Sequence, residues 1–377
     1  MIWGESFFTT NNTNLTNVKK FSLFRVFRVY TILCCLKLFR GEKFFLFFIF
    51  FVWFMAESSA VNVLQRYRDY NTYLKELFGE RVQKIPLDAG FSCPNRDGTL
   101  SDQGCIYCNT LGSGTGAWIR KKQPLDEQIS TVQRIARKMY KAKLFIAYFQ
   151  AFTNTYAPTP RLKTLYDQAL SHPGMVGLAI GTRPDCVGQD VLELLQSYQE
   201  KYLVWVELGL QSSHDTTLRS INRGHDAACF EKSVYEAHVK GLNVCAHVIL
   251  GLPGENRAMM LATARFLAQL PVKGIKIHLL YVVKDTPLAR LYEKGAFQCL
   301  TQEEYYNLVA DFLEVLPPGM IIQRLTAKPS LDELVAPFWA LDKQKNLSGI
   351  QRTLERRNIR QGRLYEKRKC ESEKVGM

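Results

Sequence analysis

The sequence predicts an α/β fold, a partial (β/α)6 TIM-type barrel of parallel strands with short N- and C-terminal extensions. Three observations predict it. Short apolar runs alternate with amphipathic helical text, giving six strand–helix units. The runs are apolar almost without interruption, as strands covered on both faces of a parallel sheet must be. Polar residues gather at the C-terminal ends of the runs, where barrel enzymes hold their active sites. A doubly wound open sheet is the runner-up. No GxGxxG follows the first strand, so a dinucleotide fold has little support.

The elements follow in order. Residues 59–78 read as a short amphipathic helix, with Tyr67, Tyr70, Tyr73, Leu74 and Phe78 on its apolar side. VQKIPL (82–87) is the first strand. The segment 124–142 opens with proline and early acids, as a helix N-terminus should. Strand 143–150, helix 159–171, strand 175–185, helix 188–201 and strand 202–211 come next. SSHDTTLRSIN and DAACFEKSVYEAHVKG are helices. Strand 242–255, helix 256–270 and strand 272–283 complete the alternation. TPLARLYEKG, the helix TQEEYYNLVADFLEVL, a PPG stop and the strand-like MIIQRL carry the chain to about residue 340.

Three regions are expected: an atypical extension 1–54, a core 55–340 with flanking helices, and a basic tail 341–377. The extension is basic and almost free of acids, with apolar runs at 29–36 and 44–54 split by Lys37, Arg40, Glu42 and Lys43. Each run is too short to cross a bilayer alone. Two readings stand: a targeting or membrane-anchor segment, or a natural start at Met55, where an ordinary polar opening begins. The second is preferred. In the tail, 351–377 holds nine Lys or Arg against four Glu, which reads as a loosely held helix, a basic arm for phosphates or a frayed end. The net charge of +14 permits an anionic partner such as RNA without requiring one. Ten cysteines in 377 residues do not make a disulfide framework, and a reducing compartment is expected.

Cys93, Cys105 and Cys108 lie in DAGFSCPNRDGTLSDQGCIYCN, a polar loop leaving the first strand. The two-residue gap between the last pair lets both sulfurs serve one metal or cluster. Spacing alone leaves open a structural zinc, an iron–sulfur cluster and no metal at all. No fourth cysteine lies nearby. Three thiolates on a four-iron cluster leave one iron open to an exogenous ligand. Cys186, Cys229, Cys245 and Cys299 read as buried apolar side chains.

Further polar text sits at the strand ends. YFQAFTNTY (148–156) offers Gln150, Thr153, Asn154 and Thr155. GTRPD (181–185) offers Arg183 and Asp185, readable also as a turn fixed by Pro184 with a salt bridge. In VELGLQSSHDTTLRSINRGH (206–225), Glu207 falls inside an apolar strand, where a carboxylate is costly unless paired. HVILGLPGE (247–255) carries a Gly251–Pro253–Gly254 turn that permits close backbone approach. His278, in KIHLLYVVKDT (276–286), reads as a satisfied core histidine, with a substrate-facing position inside the barrel as the alternative, and His225 reads as a structural hydrogen-bonding group.

Taken in this order, over roughly 60–330, these motifs resemble the radical S-adenosylmethionine enzymes. The nearest likeness is a long-spaced cysteine subgroup similar to the radical domain of Elongator's catalytic subunit and to the oxygen-independent coproporphyrinogen oxidases. The spacing here is Cys93-x11-Cys105-x2-Cys108, in place of the family's usual three and two. The resemblance implies one [4Fe–4S] cluster on Cys93, Cys105 and Cys108, and S-adenosyl-L-methionine as cofactor. It places Tyr107 beside adenine, Gln150 and Asn154 where a glycine-rich motif meets the methionine amine, and Arg183 by the cofactor carboxylate. It sets Glu207 near ribose or amine, with Gln211, Ser212 and Arg223 in the same motif, and Gly251 and Pro253 against adenine or ribose. The glycine pair of the second motif is absent.

The resemblance further implies reductive cleavage of the sulfonium, followed by hydrogen abstraction from a substrate. Bacterial relatives of the subgroup act on the C5 side chain of wobble uridine in tRNA, so tRNA is the expected substrate and partner. Flavodoxin or ferredoxin is the expected electron donor, and the cytoplasm the expected location. An organelle, or a membrane reached through residues 1–54, is the alternative. The acetyltransferase domain of Elongator has no counterpart after residue 340, so acetyl transfer is disfavoured. A tetrapyrrole-like small-molecule substrate and a non-catalytic metal- or RNA-binding role remain as other readings.

Overall fold

A computed structural model of the protein describes residues 65–110, 112 and 123–365. The expected extension 1–54 and the tail residues 366–377 therefore lie outside the described residues. The elements run α1 (Tyr70–Phe78), β1 (Val82–Leu87), α2 (Leu125–Tyr140), β2 (Leu144–Phe149), α3 (Thr159–Leu170), β3 (Met175–Thr182), α4 (Gln189–Ser197) and β4 (Leu203–Gln211). They continue with α5 (Asp215–Ser220), α6 (Ala227–Val239), β5 (Asn243–Leu250), α7 (Arg257–Ala268), β6 (Gly274–Leu279), β7 (Val282–Val283) and α8 (Pro287–Glu293). Last come α9 (Gln302–Val315), β8 (Ile321–Arg324), β9 (Leu334–Ala336) and α10 (Lys343–Arg356).

Seven strands form one parallel sheet in the order β1-β2-β3-β4-β5-β6-β8. Each strand pairs with the one before it in the sheet because a helix carries the chain back along the outer face. The near-continuous burial of β2, β3 and β4 follows from being covered twice. The sheet curls. Val82 of β1 and Ile321 of β8, at opposite edges, share one apolar cluster with Ile146, Tyr148, Ala179, Trp205 and Cys245. The expected partial barrel is present, with MIIQRL supplying the seventh strand as β8. Among the described residues, no helix is long and apolar enough to cross a membrane.

Helix α1 packs on both edge strands. Tyr70 and Tyr73 meet the fully buried Trp205 edge-on, with ring centroids 5.9 and 6.1 Å away. Such pairs contribute about 0.5–1.5 kcal/mol beyond burial. The helix begins later than 59 because Asp69 bridges to Ile322 of β8 and caps the Thr72 amide at 3.0 Å. Residues 66–69 are therefore not helical, and Tyr67 stands outside the helix.

The reading of the segment after 340 as a loose tail needs correction up to residue 365. Helix α10 docks on α9 and buries Asn346, Gly349, Ile350, Thr353 and Leu354. Asp311 of α9 takes Arg257 at 2.8 Å and Arg357 at 2.5 Å, and Glu314 takes Arg363. The basic residues that made the segment look phosphate-seeking are partly spent on these acids. Gly349 is required for the close approach, since a Cβ there would overlap the Tyr306 ring. Gly349→Val is expected to lower the unfolding free energy by about 1–3 kcal/mol through overpacking. Urea denaturation reads this, and an unchanged midpoint would show that α10 does not pack here.

Candidate active site

The cysteine loop leaves the C-terminal end of β1 and is held by local turns. The Cys93 carbonyl accepts from the Arg96 and Asp97 amides at 2.8 and 3.1 Å, and the Cys105 carbonyl accepts from the Cys108 amide at 3.0 Å. Two long-range bonds seat the loop. The Ile106 amide donates to the Ile221 carbonyl at 3.1 Å, and the Ile106 carbonyl accepts from Leu288 at 3.0 Å. Tyr107 packs its half-buried ring on the apolar cluster of Leu218, Ile221, Leu252 and Leu280.

The turn after α5 forms the other wall. Asn222, at φ 52°, donates from its side chain to the Gly104 carbonyl at 2.7 Å. Its own carbonyl accepts from the Asn95 side chain at 2.6 Å, and that same amide nitrogen stands 3.6 Å from the Cys105 sulfur. Arg223 is buried. It reaches the Cys105 sulfur at 3.7 Å and donates to the Gly209 carbonyl at 2.7 Å. A Cβ at 209 would stand 2.6 Å from Arg223 Nη2, so a side chain there would push the guanidinium off the Gly209 carbonyl. Arg183 donates to the Arg223 carbonyl at 2.8 Å and grips Asp185 through two nitrogens at 2.8 and 2.7 Å. The motifs GTRPD and NRG thus close on one another.

All seven cysteines among the described residues are free thiols. Burial, helped by Cys105 and opposed by Arg96, pushes the Cys108 thiol up to about 11. Cys93 also contributes to that rise, which places the third sulfur within electrostatic reach. Cys186 lies in the turn after Arg183, and burial with Asp185 raises its thiol to about 12. Among the described residues, no three His, Cys, Asp or Glu side chains converge on a single ion. Ligands to a cluster need not converge, because each thiolate takes its own iron. The donor set suits such a cluster: three thiols beside a buried guanidinium and an amide donor that offset thiolate charge. Nearby, Asn95 Oδ1, Thr153 Oγ1, Asn154 Oδ1 and Arg223 Nε are buried without hydrogen-bond partners, as groups awaiting a polar ligand would be.

The other predicted residues divide. Asn154 bonds the Gly181 carbonyl at 2.7 Å, tying β2 to β3, and Gln150 is half-buried at the end of β2. Gln211 ends β4 at φ 75°. Gly251, at φ 89°, turns under Leu300, and Pro253 follows it at the end of β5. Ser212 bonds the Glu255 carboxylate across the ends of β4 and β5. His225 contacts the Gly209 carbonyl at 3.2 Å.

Glu207 goes elsewhere. Both its oxygens are spent inside the barrel, on Lys84 at 2.6 Å, on Lys276, and on His247 Nε2 at 2.9 Å. Burial alone would raise its carboxyl, but Lys276 and Lys84 outweigh that and hold it well below the carboxylate range. Burial brings Lys276 down to about 7 against the pull of Glu207, and brings His247 down to about 4. No hydrogen bond joins Glu207 to the cysteine rim. Lys84, Lys276, His247, Asn95 and Asn222 were not singled out in the sequence. The available signal was a lysine at inward positions of two apolar strands facing one buried carboxylate. A separate surface cleft of about 510 Å³, lined by Tyr235, His238, Leu270 and Met320, lies at the opposite, N-terminal ends of the strands.

Comparison with known proteins bears on this arrangement. The radical SAM superfamily model matches residues 98–267, and the radical SAM C-terminal domain model matches 272–356. YtqA of Bacillus subtilis (strain 168) is 42% identical over 311 residues, covering 82% of this chain and 96% of that protein. The tRNA uridine(34) acetyltransferase of Dehalococcoides mccartyi (strain CBDB1) is 28% identical over 187 residues, 48% of this chain and 39% of its own. The solved structure of archaeal Methanocaldococcus infernus Elp3, with an N-terminal deletion, superposes with a TM-score of 0.55 at 16% identity. That match covers 74% of this chain and 64% of the other, and shows a shared fold. The chain belongs to the radical S-adenosylmethionine superfamily and is a radical S-adenosylmethionine enzyme, a membership that implies a [4Fe–4S] cluster and S-adenosylmethionine.

Proposed function

We propose that Cys93, Cys105 and Cys108 hold the cluster and that the enzyme acts on the carboxymethylaminomethyl side chain at C5 of wobble uridine in tRNA. The observation that carries the site is the cysteine loop pinned by Asn222 and Arg223 at the C-terminal mouth of the half-barrel. When bound, the cluster and S-adenosylmethionine supply a low-potential electron and the 5′-deoxyadenosyl radical. The chain's own part is placement. Arg223 and Asn95 offset charge at Cys105. Tyr107 and the apolar cluster beneath it cover one side of the site and keep water out. Asn154, Gln150, Gln211, Gly251 and Pro253 ring the mouth as the polar and close-packed contacts for the cofactor, and Arg183, held by Asp185 and the Arg223 carbonyl, braces the wall behind them.

The choice of tRNA is supported by similarity to a protein named for uridine 34 of tRNA and by the charge of +14. A flavodoxin or ferredoxin as electron donor, and a cytoplasmic setting, complete this reading. The anaerobically reconstituted protein, incubated with reductant and wobble-modified tRNA, is expected to release 5′-deoxyadenosine and to deplete carboxymethylaminomethyluridine. Nucleoside mass spectrometry reads the second result. Cofactor cleavage without any change in tRNA nucleosides would reject the RNA substrate and favour a small molecule.

Replacing Cys93, Cys105 and Cys108 by serine is expected to abolish binding of about four irons per chain. Cys186→Ser and Cys229→Ser should leave the iron content unchanged. Iron and sulfide analysis decides this, and iron retained by the triple variant would reject the assignment.

A further inference from the structure

The barrel interior holds more basic side chains than carboxylates. Glu207 is shared by Lys84 and Lys276, and the Lys276 side chain is only 3% exposed. Arg324, the last residue of β8, sits in register with Lys276 of β6. Its guanidinium has no carboxylate or carbonyl partner among the described residues. Glu333, the next acid on that side, is engaged by Asn109 at 3.2 Å. Arg324 is close enough to Lys276, His247 and His278 to depress the basicity of all three, with burial the larger cause in each. Two further groups there lack partners: His278 Nε2 and Gln323 Nε2 are both buried and unbonded. The Gln323 side-chain oxygen is already used by Lys84 at 2.8 Å.

Two lysines and an arginine facing one carboxylate is an unfavourable arrangement by itself, and the burial that brings Lys276 down to about 7 shows how poorly the lumen holds that charge alone. An anion that entered would relieve it and would meet donors already in place. We propose that this lumen is a receptor for a substrate carboxylate, taken by the Arg324 guanidinium fork, with Lys276 and the Nε2 edge of His278 completing the contact. A carboxylate fits better than a backbone phosphate for two reasons. The planar fork matches two coplanar oxygens. A carboxylate ends a side chain and can be inserted, whereas a phosphodiester carries a sugar on either side. Arg324 lies at the C-terminal end of its strand, so a substrate held there extends toward the cysteine rim.

The receptor depends on the wobble-uridine reading only for its probes. Full-length reconstituted protein is titrated with two anticodon stem–loop RNAs, one bearing 5-carboxymethylaminomethyluridine and one 5-methylaminomethyluridine at the wobble position. Anisotropy gives each Kd for the wild type, Arg324→Gln and Arg324→Lys. The carboxylated RNA is expected to bind wild type about tenfold tighter, the scale of a charge-assisted pair. The ratio should fall to about one in Arg324→Gln and to an intermediate value in Arg324→Lys. If Arg324→Gln does not fold, the fall in Arg324→Lys carries the test. Equal affinities in wild type, or a preference that survives both substitutions, overturn the receptor and leave the tRNA reading standing. If neither RNA binds, the tRNA reading fails and the receptor is judged with sodium acetate by saturation-transfer NMR. An acetate signal lost in the Arg324 variants upholds it. No signal, or one unchanged by substitution, overturns it.

Discussion

The contact of the Arg223 guanidinium with the Cys105 sulfur and the Gly209 carbonyl is the constraint from which the mouth of the barrel follows. A buried guanidinium is tolerated only where its donors find acceptors. Here the acceptors come from a cysteine loop and from a strand interior, so one side chain fixes the distance between them. Glycine at 209 admits the guanidinium, and Gly224, at φ 77°, lets the chain turn close under Asn95 and Arg183. Asn222 adopts the left-handed conformation that an asparagine can reach, and from there holds the Gly104 carbonyl. The text SINRGH therefore reads as a clamp. Each residue has a separate steric or hydrogen-bonding reason to be what it is.

A second polar layer lies deeper, and its logic differs. Glu207 stays ionised because the two lysines and His247 together outweigh its burial. Removing one partner of such a set typically costs about 3–5 kcal/mol, since it strands the others. Lys84 also lies over the Tyr70 and Tyr148 rings, each 4.8 Å from its ammonium, which lessens the cost of holding it inside. Tyr148 in turn accepts from Lys276 at 3.0 Å. The layer sits just above the apolar floor of Trp205, Tyr70 and Tyr73, so the lumen passes from apolar base to charged middle to thiol rim.

Much of this was legible in the sequence. Strand β1 falls where its text predicts, and the parallel sheet follows from uninterrupted apolar runs. The GTRPD and NRG motifs stand at strand ends, as barrel logic requires. What was not legible depends on distance along the chain. Lys84 and Glu207 meet across 123 residues, and Lys276 and Glu207 across 69. A lysine in a strand ordinarily reads as a solvent-facing position, and only curling of the sheet turns it inward. The helix start at Tyr70 was misplaced because the bridge from Asp69 to β8 is invisible locally. Segment 341–365 misled for the opposite reason. Its charge was plain, while the acids that meet it, Asp311 and Glu314, lie inside a helix whose text reads as apolar.

The unsatisfied groups tie the two layers together. Buried polar atoms without partners cost about 1–3 kcal/mol each, so a fold keeps few of them without reason. Asn95 Oδ1, Thr153 Oγ1, Asn154 Oδ1 and Arg223 Nε lie at the mouth, and His278 Nε2 and Gln323 Nε2 lie in the lumen below. Thr155 and Thr182 satisfy one another at 2.5 Å and Ser233 meets the Pro184 carbonyl at 2.8 Å, whereas Tyr70 Oη and Trp205 Nε1 at the floor, and Gln123 Oε1 and Arg265 Nε away from it, are also unbonded. Gln123 and Arg265 apart, the unbonded atoms follow the axis of the half-barrel from the thiols down to its floor. A polar cofactor at the rim and an anionic substrate beneath it would satisfy both sets at once. A structural metal at the rim would leave the lower set unexplained, which is why the depth of the deficit favours catalysis over mere metal storage.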